Sequence, residues 1–137
     1  MAQAPSTVRL SEIGQIAVYV DDVDRAVRFY RDTLGLTFLF QVPPGLAFFQ
    51  CGSVRLMLDQ PARERNRREH NTSSIVYYQV SDIEAAHHAL QAKGVEFVEA
   101  PHLIATLDDH DLWMAFFKDT EGNTLALMCE VRPPAAR

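Results

Sequence analysis

An α+β fold of two β-α-β-β-β modules in tandem, curving as a mixed sheet around a concave cavity, is what this sequence predicts. Three observations lead there. First, "GQIAVYVDDVDRAVRFYRDTLGL" (residues 14–36) and "SIVYYQVSDIEAAHHALQAKGV" (residues 74–95) share one order: alternating apolar run, acidic cap, amphipathic helix, glycine stop. Second, three short strand-like runs follow each copy. Third, alternation along the strands separates a wholly apolar face from a mixed one, as a sheet covered on one side by helices demands.

The elements follow in order. Offset by sixty residues, Val20 meets Val80, Asp22 meets Asp82, Val23 meets Ile83, Ala26 meets Ala86 and Tyr30 meets Leu90. Gly35 meets Gly94 with a slip of one. Asp21 and Asp22, like Ser81 and Asp82, can accept from the free amides of the helix that follows. Ser81 and Glu84 also have capping-box spacing. Val23, Ala26, Val27, Tyr30 and Leu34 form one apolar stripe, matched by Ile83, Ala86, His87 and Leu90. Gly35 and Gly94 supply left-handed turns at the helix ends. The strands after the first helix are "LTFLFQV", "LAFFQCG" and "VRLMLD". Those after the second are "VEFVEA", "LWMAFFKD" and "TLALMCEV". The modules therefore span residues 11–60 and 73–131 of a single domain, 1–137. The polar segment 61–72, with Arg63, Arg65, Arg67, Arg68 and His70, joins them as a solvated linker.

Alternation assigns the faces. Ile16, Val18, Val20, Val54, Leu56 and Leu58 pack under the first helix. Val76, Tyr78, Val80, Leu125, Leu127 and Cys129 do so under the second. The opposite face carries Gln15, Ala17, Tyr19, Arg55, Met57 and Asp59, then Ile75, Tyr77, Gln79, Thr124, Ala126 and Met128. A solvated face would hold more charge and a sealed core no Arg or Asp, so this surface reads as the wall of a small-molecule cavity.

Bulk properties narrow the function. A chain of 137 residues with 47% hydrophobic and 23% charged residues is an ordinary globular domain. Net charge of −5 excludes a general nucleic-acid binder. No apolar run reaches the roughly 20 residues of a membrane span. The opening "MAQAPSTVRLSE" lacks signal-peptide regions, and Cys51 and Cys129 are too few for a disulfide framework; both point to the cytoplasm.

The duplicated module with "VDDVDRAVRFYRDTLGL" and the late "FFKDTEGNTLALM" resembles the glyoxalase/bleomycin resistance/dioxygenase group, the vicinal oxygen chelate superfamily. The turn Asp119–Asn123 is similar to that family's signature before its last strand. The resemblance covers roughly residues 11–131 and implies a homodimer with a small-molecule ligand. It also implies four metal-ligand points, which fall here on Gln15, Ile75, Arg55 and Ala126. Of these only Gln15 carries a donor, so the expected cofactor is none.

Candidate ligand contacts are Gln15, Tyr19, Arg55, Met57, Tyr77, His102, His110, Met114, Phe116 and Met128. Arg55 leads, because a guanidinium grips an anion through paired hydrogen bonds; the alternative is an ion pair with Asp59. For the aromatic and methionine positions, plain core packing is the competing reading. His102 and His110 bracket "PHLIATLDDHDLW", expected to form the cavity rim. With Asp108, Asp109 and Asp111 that loop could hold a divalent metal, contact the ligand directly, or serve as an ordinary polar loop. His87 reads as a hydrogen-bonded boundary histidine and His88 as solvated. Two functions remain open: a small-molecule-binding protein that has lost the metal site, or a divergent enzyme of lyase, isomerase or dioxygenase type, either metal-dependent through His102 and His110 or metal-free using Arg55 and a histidine. No activated nucleophile, phosphate loop or zinc-type cysteine spacing is present.

Overall fold

The computed structural model describes residues 8–61 and 74–133. The expected linker, apart from Pro61, and His70 with it, lies outside the described residues. The first half runs β1 (Gln15–Tyr19), α1 (Val23–Arg28), a π-helical turn (Phe29–Thr33), β2 (Thr37–Val42), β3 (Leu46–Cys51) and β4 (Val54–Asp59). The second runs β5 (Val76–Gln79), α2 (Ile83–Ala92), β6 (Glu96–Thr106), β7 (Asp111–Lys118) and β8 (Thr124–Val131).

Each half folds its strands into a four-stranded mixed sheet of the same order, β1-β4-β3-β2 and β5-β8-β7-β6. The first strand of each half lies parallel to the last, and the remaining neighbours are antiparallel. Parallel pairing needs a crossover, and the helix supplies it. The repeat seen in the letters is thus a repeat of topology.

Asp22 caps α1 by accepting from the Arg25 amide at 3.1 Å, and Asp82 caps α2 by accepting from Ala85 at 3.0 Å. The cap of α2 is therefore Asp82, and Ser81 lies one residue outside the capping-box position expected for it. Gly35 and Gly94 end the helical segments at φ 79° and 90°, the region only glycine enters without steric cost. The π turn closes with Leu34 N–H donating to Phe29 O at 2.9 Å. Its wider winding turns Phe29 inward beside Tyr30, so two rings enter the core where α-helical spacing placed one.

The helix-side faces of both sheets merge into one core. Val18, Leu56, Leu58 and Phe49 from the first half share it with Phe117, Leu125, Leu127 and Cys129 from the second. At its centre Tyr30, fully buried, donates its hydroxyl to Asp119 Oδ2 at 2.7 Å. Burial pushes the Tyr30 phenol well above its ordinary pKa, and the Asp119 carboxylate pushes it the same way. The phenol therefore stays a donor.

Asp119 organises the β7–β8 turn: its Oδ1 accepts from the Glu121 and Asn123 amides, each at 2.8 Å. Glu121 reaches back to the first half, where its Oε1 accepts from the Asp21 and Asp22 amides at 2.9 Å. Arg25 grips the same carboxylate with Nε at 2.8 Å and Nη2 at 2.9 Å. Asn123 Nδ2 donates to Tyr19 O at 3.0 Å. The family-like turn is thus a latch between the halves.

Candidate ligand-binding site

With both helix sides spent on one core, each sheet leaves its mixed face open. Gln15, Arg55 and Tyr77 are exposed, and Tyr19, Met57, Met114, Phe116 and Met128 are half-buried. The expected concave surface is therefore two half-open faces on separate sheets. A cleft of about 300 Å³ between the β1 and β5 edges is lined by Ala17, Ile75 and Thr124 of the two mixed faces, whereas one of about 380 Å³ between the helical segments lies away from both.

Pairing register arranges the first face in cross-strand rows. Gln15, Arg55, Gln50 and Thr37 make one polar row. Ala17, Met57, Phe48 and Phe40 make the next, and Tyr19, Asp59, Leu46 and Val42 the third. Gln15 Nε2 lies 3.7 Å from Met57 Sδ, and the Arg55 guanidinium sits 6.0 Å from the centre of the Phe48 ring. Phe48 in turn stacks on Phe40 at 4.9 Å.

The alternative ion pair does not form. Asp59 is four residues along β4, about 13 Å at the rise of a strand. Among the described residues, no carboxylate lies within ion-pair distance of Arg55 and no acceptor takes its side-chain N–H groups.

On the second face Tyr77, Ala126, Phe116 and Glu99 form one row, and Gln79, Met128, Met114 and His102 the next. Tyr77 meets Phe116 edge-on at 6.0 Å. His102 has Nδ1 at 2.8 Å from Ala100 O and Nε2 at 3.3 Å from Glu99 Oε1. Five of the ten candidate residues therefore share this face, and four share the other.

His110 belongs to neither. The stretch expected as a rim loop is the long β6–β7 hairpin, whose turn closes with Leu107 N–H on His110 O at 2.8 Å. His110 Nδ1 lies 2.8 Å from Asp109 Oδ1, a contact that holds the Asp109 carboxyl below its usual range. His102 pairs with Met114 on β7, four residues beyond His110 in the chain, or about 13 Å at the rise of a strand. The two imidazoles cannot share one ion. His87 also departs from expectation: it is buried edge-on against Phe97 at 4.4 Å, and its Nε2 has no hydrogen-bond partner among the described residues.

The glyoxalase/bleomycin resistance protein/dioxygenase superfamily model matches residues 12–127. The chain belongs to that superfamily. A curated relative, the uncharacterised protein YetH of Bacillus subtilis, is 27% identical over 125 residues, 86% of this chain and 98% of its own. A superfamily member from Sphaerobacter thermophilus has the same fold at TM-score 0.71 and 21% identity, covering 88% of this chain and 98% of its own. So has a lactoylglutathione lyase from Agrobacterium tumefaciens, at TM-score 0.69 and 24% identity, covering 88% and 94%.

Superfamily membership makes the metal question concrete, and sheet register sharpens it. Ala17 pairs with Met57 and its counterpart Tyr77 pairs with Ala126, so the first-half equivalent of Ala126 is Met57 rather than Arg55. Gln15 and Met57 touch there, an amide and a thioether. Ile75 and Ala126 add no donor. Among the described residues no three His, Cys, Asp or Glu side chains converge. This donor set does not fit a divalent metal, which takes three or more such ligands.

Sequence reasoning missed Phe48, Phe40, Gln50 and Glu99, all on strands whose faces were not assigned. A signal existed. Counting back from the "CGS" turn sets Gln50 opposite Arg55 and Phe48 opposite Met57.

Proposed function

We propose that this superfamily member is a cytoplasmic protein that binds a small organic molecule without a metal. The observation that carries the reading is Arg55, exposed, without a carboxylate partner among the described residues, and bordered by an apolar shelf of Met57, Phe48 and Phe40. Sparse polar groups beside an apolar wall are the make-up of a ligand pocket. Each face is only half a pocket, so a second copy completes it, as a homodimer. Tyr77 at 42% exposure and Phe40 at 46% are large apolar groups that such a partner would cover.

Protein purified without a polyhistidine tag should retain no stoichiometric metal after dialysis, and chelator should leave its Tm unchanged. Sedimentation should give twice the mass of one chain. Retained metal at about one per chain, with a chelator-sensitive Tm, overturns the metal-free reading.

One observation favours an enzyme instead. The Glu99–His102 pair on the second face is a carboxylate 3.3 Å from an imidazole, with Phe116 6.5 Å away, the arrangement of a general base and its orienting group. A metal-free activity lost in His102→Gln with ligand binding intact would establish it.

A further inference from the structure

We propose that the first face selects an aryl-alkanoate: a carboxylate held by Arg55 and Gln15, with an aromatic ring lying on Met57 and Phe40, which Phe48 backs from below. The inference rests on the binding reading above and names the class of ligand.

Three features of the face lead to it. The first is charge. Arg55 has five N–H donors in a fixed fork, and among the described residues none is taken by a protein acceptor. The Phe48 ring beneath it supports the cation without neutralising it. Gln15 is the direct register partner of Arg55 on the neighbouring strand, roughly 4.8 Å away. Among the described residues its Nε2 reaches only the Met57 sulfur, a weak acceptor, so a carboxylate oxygen is a better partner for it. Gln50, on the other side of Arg55, donates its amide to Gly52 O at 2.7 Å and is fixed away from this role.

The second feature is the shelf. Phe48 and Phe40 overlap at 4.9 Å with 34° between their planes, and Met57 pairs with Phe48 on the next strand. Phe48 itself is buried, so the Phe40 ring and the Met57 thioether make the accessible polarizable surface, which suits another ring.

The third is spacing. The shelf lies one pleat repeat from the polar row, two residues along the strand or roughly 7 Å. A carboxylate attached directly to a ring is too short for that step. A chain of two or so carbons between them spans it. An aliphatic acid would reach as far but would not use the stacked rings.

The test uses 3-phenylpropanoate, its uncharged amide, benzoate and butanoate in calorimetric titrations. Methyl NMR of Met57 reports the shelf. Phenylpropanoate should bind most tightly and shift the Met57 signal. Arg55→Met should weaken it roughly ten- to a hundredfold, the scale of a hydrogen bond to a charged group, and Arg55→Lys less. Arg55 is exposed, so either variant should fold as the parent does, with unchanged Tm. If the amide binds as tightly as the acid and Arg55→Met changes nothing, the carboxylate assignment is wrong while the binding reading stands. If no probe moves the Met57 signal, both fall.

Discussion

Glu121 is a single side chain with partners in both halves of the molecule. Its carboxylate is fully covered, against 45% exposure for the Arg25 side chain it meets. Burial by itself would raise its pKa. Arg25, Thr120 and the Asp22 amide outweigh that, and the carboxyl titrates below its usual value. The folded pKa is depressed, so the stabilisation is complete above the ordinary glutamate pKa and is lost as pH falls through the folded value. Glu121→Gln should therefore cost about 1–3 kcal/mol at pH 7, measured by urea unfolding, with the gap from the parent closing below about pH 4. A gap that is constant with pH would deny the carboxylate its role. None of this was legible in the letters. "DTEGN" announced a turn, but a carboxylate's partner 96 residues away leaves no periodic trace. Arg55 was legible as a cation on the mixed face; Phe48 beneath it was not, because strand alternation was followed on β4 without being carried across to β3.

At the scale of elements, the sequence resolved what is local. Alternation, acidic caps and glycine stops are short-range signals, and the eight strands and two helices stand where those signals lay. Two departures have physical causes. The π turn escapes a 3.6-residue pattern because its extra residue per turn places Phe29 and Tyr30 side by side. The β6–β7 hairpin is longer than expected because its irregular pairing, with shifts around Glu99, His102 and Leu103, blurs the period-two pattern. The helix stops support a direct test. At Gly35 an added Cβ would meet nothing within 4 Å, so the position is open and only its φ of 79° is demanding. Gly35→Ala should then cost about 1–2 kcal/mol through backbone strain alone. Gly35→Asn should cost less, since asparagine tolerates that region. Equal costs from chemical denaturation would show that something other than φ selects glycine there.

For the whole molecule, the shared core decides how it comes apart. Phe49 and Phe117, each fully buried, belong to different halves of one continuous cluster, with Tyr30 and Asp119 joined inside it. Each helix packs on the sheet of its own half, but the core beneath them runs without a break from one half into the other. Heat or urea should therefore unfold both in one step, with near-ultraviolet signal from Trp113, in the second half, following the backbone signal. Two separated transitions would mean that the halves are independent domains. The duplication was visible in sequence, and superfamily membership followed from its letters. That the copies join along their helix sides, leaving two open faces, was not: the same alternation serves either arrangement.

The β7–β8 latch has a further consequence for synthesis on the ribosome. A chain emerges from its N-terminus at about 5–20 residues per second. The backbone amides of Asp21 and Asp22 and the hydroxyl of Tyr30 exist early, while their acceptors, Glu121 and Asp119, are some 90 to 100 positions later. Leu125 and Leu127, which help close the common core, come later still. The nascent first half waits with its apolar side uncovered until the last strand of the second half has been made, and in that interval a chaperone would find it.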